Sequence, residues 1–213
     1  MVITEVKKST GYEITKRFLD IIFSLILLVI FSPVILFVAF AIKFSSSGPV
    51  FADTPARVGK DGKLFKMYKF RSMVQNAHEM LREDPEFAEL YKAYKMGSYK
   101  LKNDPRITAV GHFIRTYSFD ELPQFINILN GDMSLVGPRP TSFGPETYKL
   151  WHTERLDVAP GLTGLWQIIG RAQLEFDDRL RLDIAYIERR SLWLDSAILL
   201  YTLAAVFKQR GAH

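Results

Sequence analysis

Phe18-Leu-Asp20-Ile-Ile-Phe-Ser24-Leu-Ile-Leu-Leu-Val-Ile-Phe-Ser32-Pro33-Val-Ile-Leu-Phe-Val-Ala-Phe-Ala-Ile-Lys43-Phe44 is the stretch on which the architecture turns. Ile21 to Ile42 is long enough to cross a bilayer, which takes roughly 20 apolar residues. A cleaved signal peptide fits poorly, because the apolar run is too long and no small-residue cleavage motif follows it. Pro33 lacks an N–H, frees the carbonyl of Val29 and bends a helix, while the Ser32 hydroxyl can bond back to a carbonyl one turn earlier. Lys7, Lys8, Lys16 and Arg17 precede the stretch, and Lys43, Arg57, Lys60, Lys63 and Lys66 follow it. Basic flanks mark the cytoplasmic side of a membrane segment, and both flanks are basic here. A helix that enters the bilayer, breaks at the Ser32-Pro33 hinge and returns to the same face satisfies both observations; an ordinary kinked span is the alternative.

The chain then divides into a basic lead, 1–17, the membrane segment, 18–44, and a domain over 45–213. Of its 213 residues 48% are hydrophobic, enough for one core, and the net charge of +5 fits nucleic acid, anionic lipid or a phosphorylated small molecule. The absence of cysteine excludes disulfides, thiolate metal sites and a cysteine nucleophile, and the four histidines stand without metal-ligand spacing. Any metal is expected to be a hard cation held by oxygens.

Within the domain, Ser45 to Pro49 is a turn-rich boundary, and Val58-Gly59-Lys60-Asp61-Gly62-Lys63 predicts a hairpin around Asp-Gly. Lys66, Lys69 and Arg71 form either a solvated basic face or a contact for phosphate or lipid headgroups. Asn76 to Met96 predicts two helical pieces split at Asp84-Pro85, and Asn103 to Arg106 a turn. Pro160 to Arg171 reads as a tight loop and short strand rather than a helix. Phe176 to Arg190 is a charged helix, and residues 192–207 form an interfacial helix with aromatic anchors or a core helix. The fold class is α+β: a mostly helical domain with short strands, anchored by the re-entrant helix.

The chemistry gathers between Arg115 and Pro140. Asp120 and Glu121 are adjacent carboxylates five residues after Arg115, and Gly131 to Pro140 ends in Pro138-Arg139-Pro140. Pro123 limits where a helix through Leu122 to Leu129 begins. With Asp120 at or near its start the proline is tolerated, and the helix dipole would lower the carboxylate's pKa and attract phosphate. Asp120 could equally do no more than cap that helix, with Glu121 a solvated acid.

Taken in order, Ser32-Pro33, Lys69-Phe70-Arg71-Ser72-Met73, Asp104 to Thr108, Asp120 to Gln124, Gly131 to Pro140 and Pro160 to Arg171 resemble the small monotopic phosphoglycosyl transferases, a bacterial sugar transferase family. The resemblance covers nearly the whole chain. Phe119, where leucine is usual, and Ile169, where serine or asparagine is usual, depart from the pattern. It implies transfer of a sugar 1-phosphate from a UDP-sugar to undecaprenyl phosphate, with UMP released and Mg²⁺ required, at the start of exopolysaccharide or lipopolysaccharide assembly. Partners are then the UDP-sugar, undecaprenyl phosphate and inner-membrane lipid, rather than nucleic acid, and a homodimer is compatible with it. The place implied is the cytoplasmic face of a bacterial inner membrane.

Asp120 matches the family's nucleophile and Glu121 its partner, and the two are the implied metal ligands. Arg115 and Arg171 match active-site arginines, Pro138-Arg139-Pro140 a nucleotide contact, and Lys69 and Arg71 lie in a substrate-binding motif. Glu121 could ligand the metal, orient Asp120 or act as a base. The Gly164-Leu165-Trp166-Gln167 form is more like members that use galactose or glucose. Two other readings stay open: a membrane glycosyltransferase that releases UDP, and a non-catalytic membrane scaffold.

Overall fold

In the computed structural model, residues 9–96, 101, 104–141, 150–169 and 174–207 are described. Helix α1, Thr10–Ser45, is a single helix that runs through Pro33. The expected interruption at Ser32-Pro33 is not observed, and the reason is local. The carbonyl that Pro33 leaves free is that of Val29, and the Ser32 hydroxyl donates to it at 2.8 Å. The helix also starts eight residues before the apolar run, because its first turns are tied to the domain. Tyr12 and Lys16 bond Asp195, and Arg17 donates to the carbonyls of Ile128 and Leu129. Most of its apolar surface faces outward, including Phe23, Val29, Ile30, Phe37 and Phe40. Val38 and Ile42 are buried against Phe70 and Ile114.

The hairpin forms as expected. Strands β1, Arg57–Val58, and β2, Leu64–Phe65, pair antiparallel, with Val58 opposite Leu64. Asp61 and Gly62 both take left-handed backbone conformations in the connecting turn, the geometry that makes Asp-Gly a hairpin signal. Helices α2, Ala77–Glu83, and α3, Ala88–Met96, are separated at Asp84-Pro85, where the Asp84 carboxylate accepts the Glu86 N–H.

Helix α4, Ala109–Thr116, begins at Thr108, whose hydroxyl accepts the Gly111 N–H. Gly111 itself is required by packing, since a Cβ there would lie 1.9 Å from the Ser72 carbonyl oxygen. Helix α5, Gln124–Asn130, packs along α1 and ends at Gly131 with φ 91°. Strand β3, Ser134–Val136, pairs in parallel with β4, Gly161–Thr163. The pair comes close because Gly137 and Gly161 lack side chains: a Cβ on Gly161 would lie 2.1 Å from the Gly137 nitrogen.

After β4 the chain forms the short helix α6, Leu165–Ile169, where a loop was expected; Gln167 N–H bonds the Gly164 carbonyl and starts the turn. Helices α7, Phe176–Arg189, and α8, Leu192–Phe207, complete the fold. Ile198 of α8 joins the main core with Phe125, Ile128, Leu135 and Tyr186, while Trp193, Leu200, Tyr201 and Leu203 are exposed. The class is α+β and mostly helical.

Candidate active site

Asp120 sits in a 3-10 turn, Phe119–Glu121, between α4 and α5. Asp120 was expected at or near the start of α5, but the N-cap position belongs to Pro123 and Asp120 lies in the turn before it. Tight bonds from Glu121 N–H to Ser118 O and from Leu122 N–H to Phe119 O wind the approach, and Pro123 has no N–H to continue it as α-helix. Ser118, just before the turn, is held at φ 57°, a left-handed conformation that costs a non-glycine residue about 1–2 kcal/mol. The Asp120 carbonyl accepts the Phe70 N–H at 2.9 Å, which joins the turn to the extended segment around Lys69. Asn127 braces the same segment from α5, accepting from Tyr68 N–H at 2.9 Å and donating to Lys66 O at 2.8 Å.

Extended backbone sends neighbouring side chains to opposite sides. Phe70 is buried against Val38, Ile42 and Ile114. Lys69 points to the dyad, with Nζ 2.9 Å from Asp120 Oδ2 and 3.5 Å from Glu121 Oε1. Arg71 goes to the end of α1, donating to the carbonyls of Ser46 and Ser47 and to Ser46 Oγ. Arg71 therefore anchors the end of α1, and the structure does not bring it to the dyad.

Arg139 reaches Glu121 Oε1 from the other side at 2.5 Å. Burial pushes the Glu121 carboxyl up, but Arg139 and Lys69 outweigh it and hold the pKa near 2, below the ordinary 4.5. Asp120 behaves in the opposite way. Its side chain is 5% exposed, and burial holds its pKa above the ordinary value despite Lys69, with Glu121 adding to the rise. The lowering expected from a helix N-terminus is overridden by desolvation, since the turn places the carboxylate inside the fold.

Arg115 donates from Nε to Ser72 Oγ at 2.8 Å, and its charge acts on both Asp120 and Asp104. Asp104 and Arg106 form a buried two-pronged pair at 2.8 and 2.7 Å, which fixes the turn leading into α4. Pro138, Arg139 and Pro140, together with Val58, Gly59 and Arg155, line a shallow hollow on the Arg139 side of the dyad. Lys69, Arg115, Asp120, Glu121 and Arg139 thus converge. Arg171, Lys7 and Lys8 lie outside the described residues.

Two functional candidates escaped sequence reading, Arg155 and Asp183. They form a buried ion pair at 2.9 Å, and Arg155 also donates to the Arg139 carbonyl. Asp183 lies in a helix whose composition looks solvated, and only the period of burial at Leu180, Asp183, Tyr186 and Ile187 marks its inward face.

The donor set fits Mg²⁺ of the kind that is held by one or two carboxylates and completed by substrate phosphates. Asp120 and Glu121 offer oxygens only, and among the described residues no group of three or more potential ligands forms a closed protein cage. Lys69 bridges the same two carboxylates and shares their charge.

A family model described as bacterial sugar transferase matches residues 11–209. The undecaprenyl-phosphate galactose phosphotransferase of Salmonella typhimurium is 44% identical over 199 residues, covering 93% of this chain and 41% of that protein. The exopolysaccharide production protein ExoY of Rhizobium meliloti is 40% identical over 203 residues, 93% of this chain and 88% of its own length. The UDP-glucose:undecaprenyl-phosphate glucose-1-phosphate transferase of Escherichia coli K12 is 38% identical over 215 residues, 94% of this chain and 42% of that protein. The chain thus spans about two fifths of the first and third of these relatives.

Proposed function

The chain belongs to the bacterial sugar transferase family, and on that premise we propose that it transfers a sugar 1-phosphate, galactose or glucose, from a UDP-sugar to undecaprenyl phosphate. The observation that carries the reading is a buried carboxylate, Asp120, paired with a lysine and flanked by Glu121, Arg115 and Arg139. Burial strips Asp120 of water and keeps it more basic than an exposed aspartate, which strengthens it as a nucleophile, while Lys69 favours the ionised form the attack needs.

One Asp120 oxygen attacks the β-phosphorus of the donor, the bond from phosphorus to the UMP oxygen breaks, and UMP leaves with the electron pair. The sugar phosphate is then an acyl phosphate on Asp120. A phosphate oxygen of the lipid displaces Asp120 in the second step and regenerates the carboxylate. Arg139 and Arg115 offer planar forks to the phosphoryl oxygens as charge builds on them. Glu121 is held ionised by Arg139 and Lys69, so its role is to orient those cations or to bind metal rather than to carry a proton. Asp120 and Glu121 would hold Mg²⁺, which neutralises charge on the donor's phosphates.

The membrane reading is supported by both ends of α1. Arg17 near the first end and Ser46 at the last are bonded to the same body, with basic residues on each flank. A re-entrant course through the cytoplasmic leaflet of the inner membrane agrees with this, with the turn made as a proline bend within the continuous helix rather than as a break, and the exposed Trp193, Leu200, Tyr201 and Leu203 of α8 fit an interfacial seat. Such a seat lets one site meet a soluble donor and a lipid phosphate at headgroup depth.

The test is product analysis with the purified protein in nanodiscs, Mg²⁺, UDP-galactose or UDP-glucose, and undecaprenyl phosphate. Lipid-dependent UMP from one donor is expected. UDP as the nucleotide product would replace this reading with a glycosyltransferase, and no product from a folded sample with any UDP-sugar would leave a scaffold.

A further inference from the structure

Arg139 reaches the dyad from a loop, and its own peptide is held from behind. Its carbonyl accepts from Arg155 Nη2, and the same nitrogen of Arg155 is held 2.9 Å from Asp183 Oδ2. Arg155 and Asp183 are themselves bonded, with side chains 5% and 2% exposed. Arg155 comes from the 3-10 segment Leu150–Asp157 and Asp183 from α7, so two elements distant in sequence meet behind one residue.

Stability alone is a poor reason for this pair. Desolvating two ions costs several kcal/mol each, and apolar residues of similar volume often serve as well or better. What an apolar pair cannot supply is a charged donor on the Arg139 carbonyl, held in place by a buried carboxylate. The side chain of Arg139 is a third exposed and carries the large rotamer freedom of arginine, so a fixed backbone is what sets its approach to Glu121.

We propose that Arg155 and Asp183 are positioning residues: Arg155 holds the Arg139 backbone by its carbonyl and Asp183 holds Arg155, so that the Arg139 guanidinium meets Glu121 and the donor's phosphates in one orientation. The catalytic part of this rests on the sugar-phosphate transfer proposed above; the clamp itself does not.

Two measurements on the full chain in nanodiscs test it: hydrogen exchange at Gly137, Arg139 and Thr141, and kcat/KM for UMP release. The variants are Asp183→Asn and, to keep a folded comparison, Arg155→Met combined with Asp183→Leu. Exchange at these amides is expected to rise about tenfold or more in both, with α5 unchanged. The same variants are expected to lower kcat/KM by about tenfold, but by less than about threefold when Arg139 is already alanine, because the effect passes through Arg139. Wild-type exchange and turnover in the folded double variant would overturn the proposal, and so would losses that multiply in full with Arg139→Ala. If the wild-type protein released no UMP, the transfer reading would fail while the exchange measurement still decided the clamp.

Discussion

Lys69→Met removes the cation that stands between two carboxylates while keeping most of the side chain's volume. Lys69 Nζ lies 2.9 Å from Asp120 Oδ2, whose side chain is 5% exposed, and 3.5 Å from Glu121 Oε1. At about 3 Å and an effective dielectric of about 20, one such contact is worth on the order of 5 kcal/mol before desolvation. Breaking a buried pair by removing one partner costs about 3–5 kcal/mol, and because Lys69 is 22% exposed a screened cost below that range, about 2–3 kcal/mol, is expected.

For a chain of this size, each kcal/mol moves Tm by about 2–4 °C, so a fall of roughly 4–12 °C follows. The loss has a pH signature. Asp120 already has a folded pKa above its ordinary value, and without Lys69 it rises further. A raised carboxylate contributes stability below its unfolded pKa and loses it as pH rises through the folded one, so the deficit of the variant grows with pH. Adding Asp120→Asn removes the uncompensated charge and should recover most of the loss. Thermal unfolding followed by the fluorescence of the three tryptophans reads all of this. An unchanged Tm in Lys69→Met at pH 8, or no recovery on adding Asp120→Asn, would show that Lys69 does not compensate a buried Asp120 charge.

Arg71→Ala should lower stability by about 2–4 kcal/mol, because it leaves the carbonyls of Ser46 and Ser47 without their buried charged donor; a melting temperature within a degree of wild type would show that α1 does not need this anchor. The free-enzyme profile of kcat/KM should fall as pH drops through the raised pKa of Asp120, while Glu121 stays ionised down to about 2. Lys69→Met should move that acid limb to higher pH, and a limb that stays in place would mean another group titrates there. An N-terminal tag should resist membrane-impermeant reagents applied to the periplasmic side of intact cells, and periplasmic labelling would replace the re-entrant course with a simple span.

Much of this fold was legible because its signals are local. Asp61-Gly62 announces a hairpin, Asp84-Pro85 splits two helices, and the run from Ile21 to Ile42 announces a membrane-length helix. Ser32 and Pro33 were legible as chemistry but not as outcome: the hydroxyl takes the orphaned carbonyl, and the helix continues where a break was expected. The dyad was legible as a motif, but its electrostatics were not. Whether Asp120 is made more or less acidic depends on its burial inside the fold and on Lys69, 51 positions earlier, neither of which a local reading of the 3-10 turn contains. Arg71 shows the same limit, since two residues from Lys69 the guanidinium is bonded to the end of α1 and not to the dyad. Arg155 and Asp183 had no local signature at all, because a buried ion pair between residues 28 positions apart looks like two surface charges until the helix faces are known.

In the proposed mechanism Asp120 carries the sugar phosphate. This is tested most directly by incubating the protein with Mg²⁺ and a UDP-sugar labelled in its β-phosphate, without lipid, and digesting it. Wild-type protein should retain label on the peptide containing Asp120 with an equal amount of UMP released, lose it on addition of undecaprenyl phosphate, and show none in Asp120→Asn. Lipid product formed without any labelled peptide, or label that persists in Asp120→Asn, would mean that Asp120 is not the nucleophile.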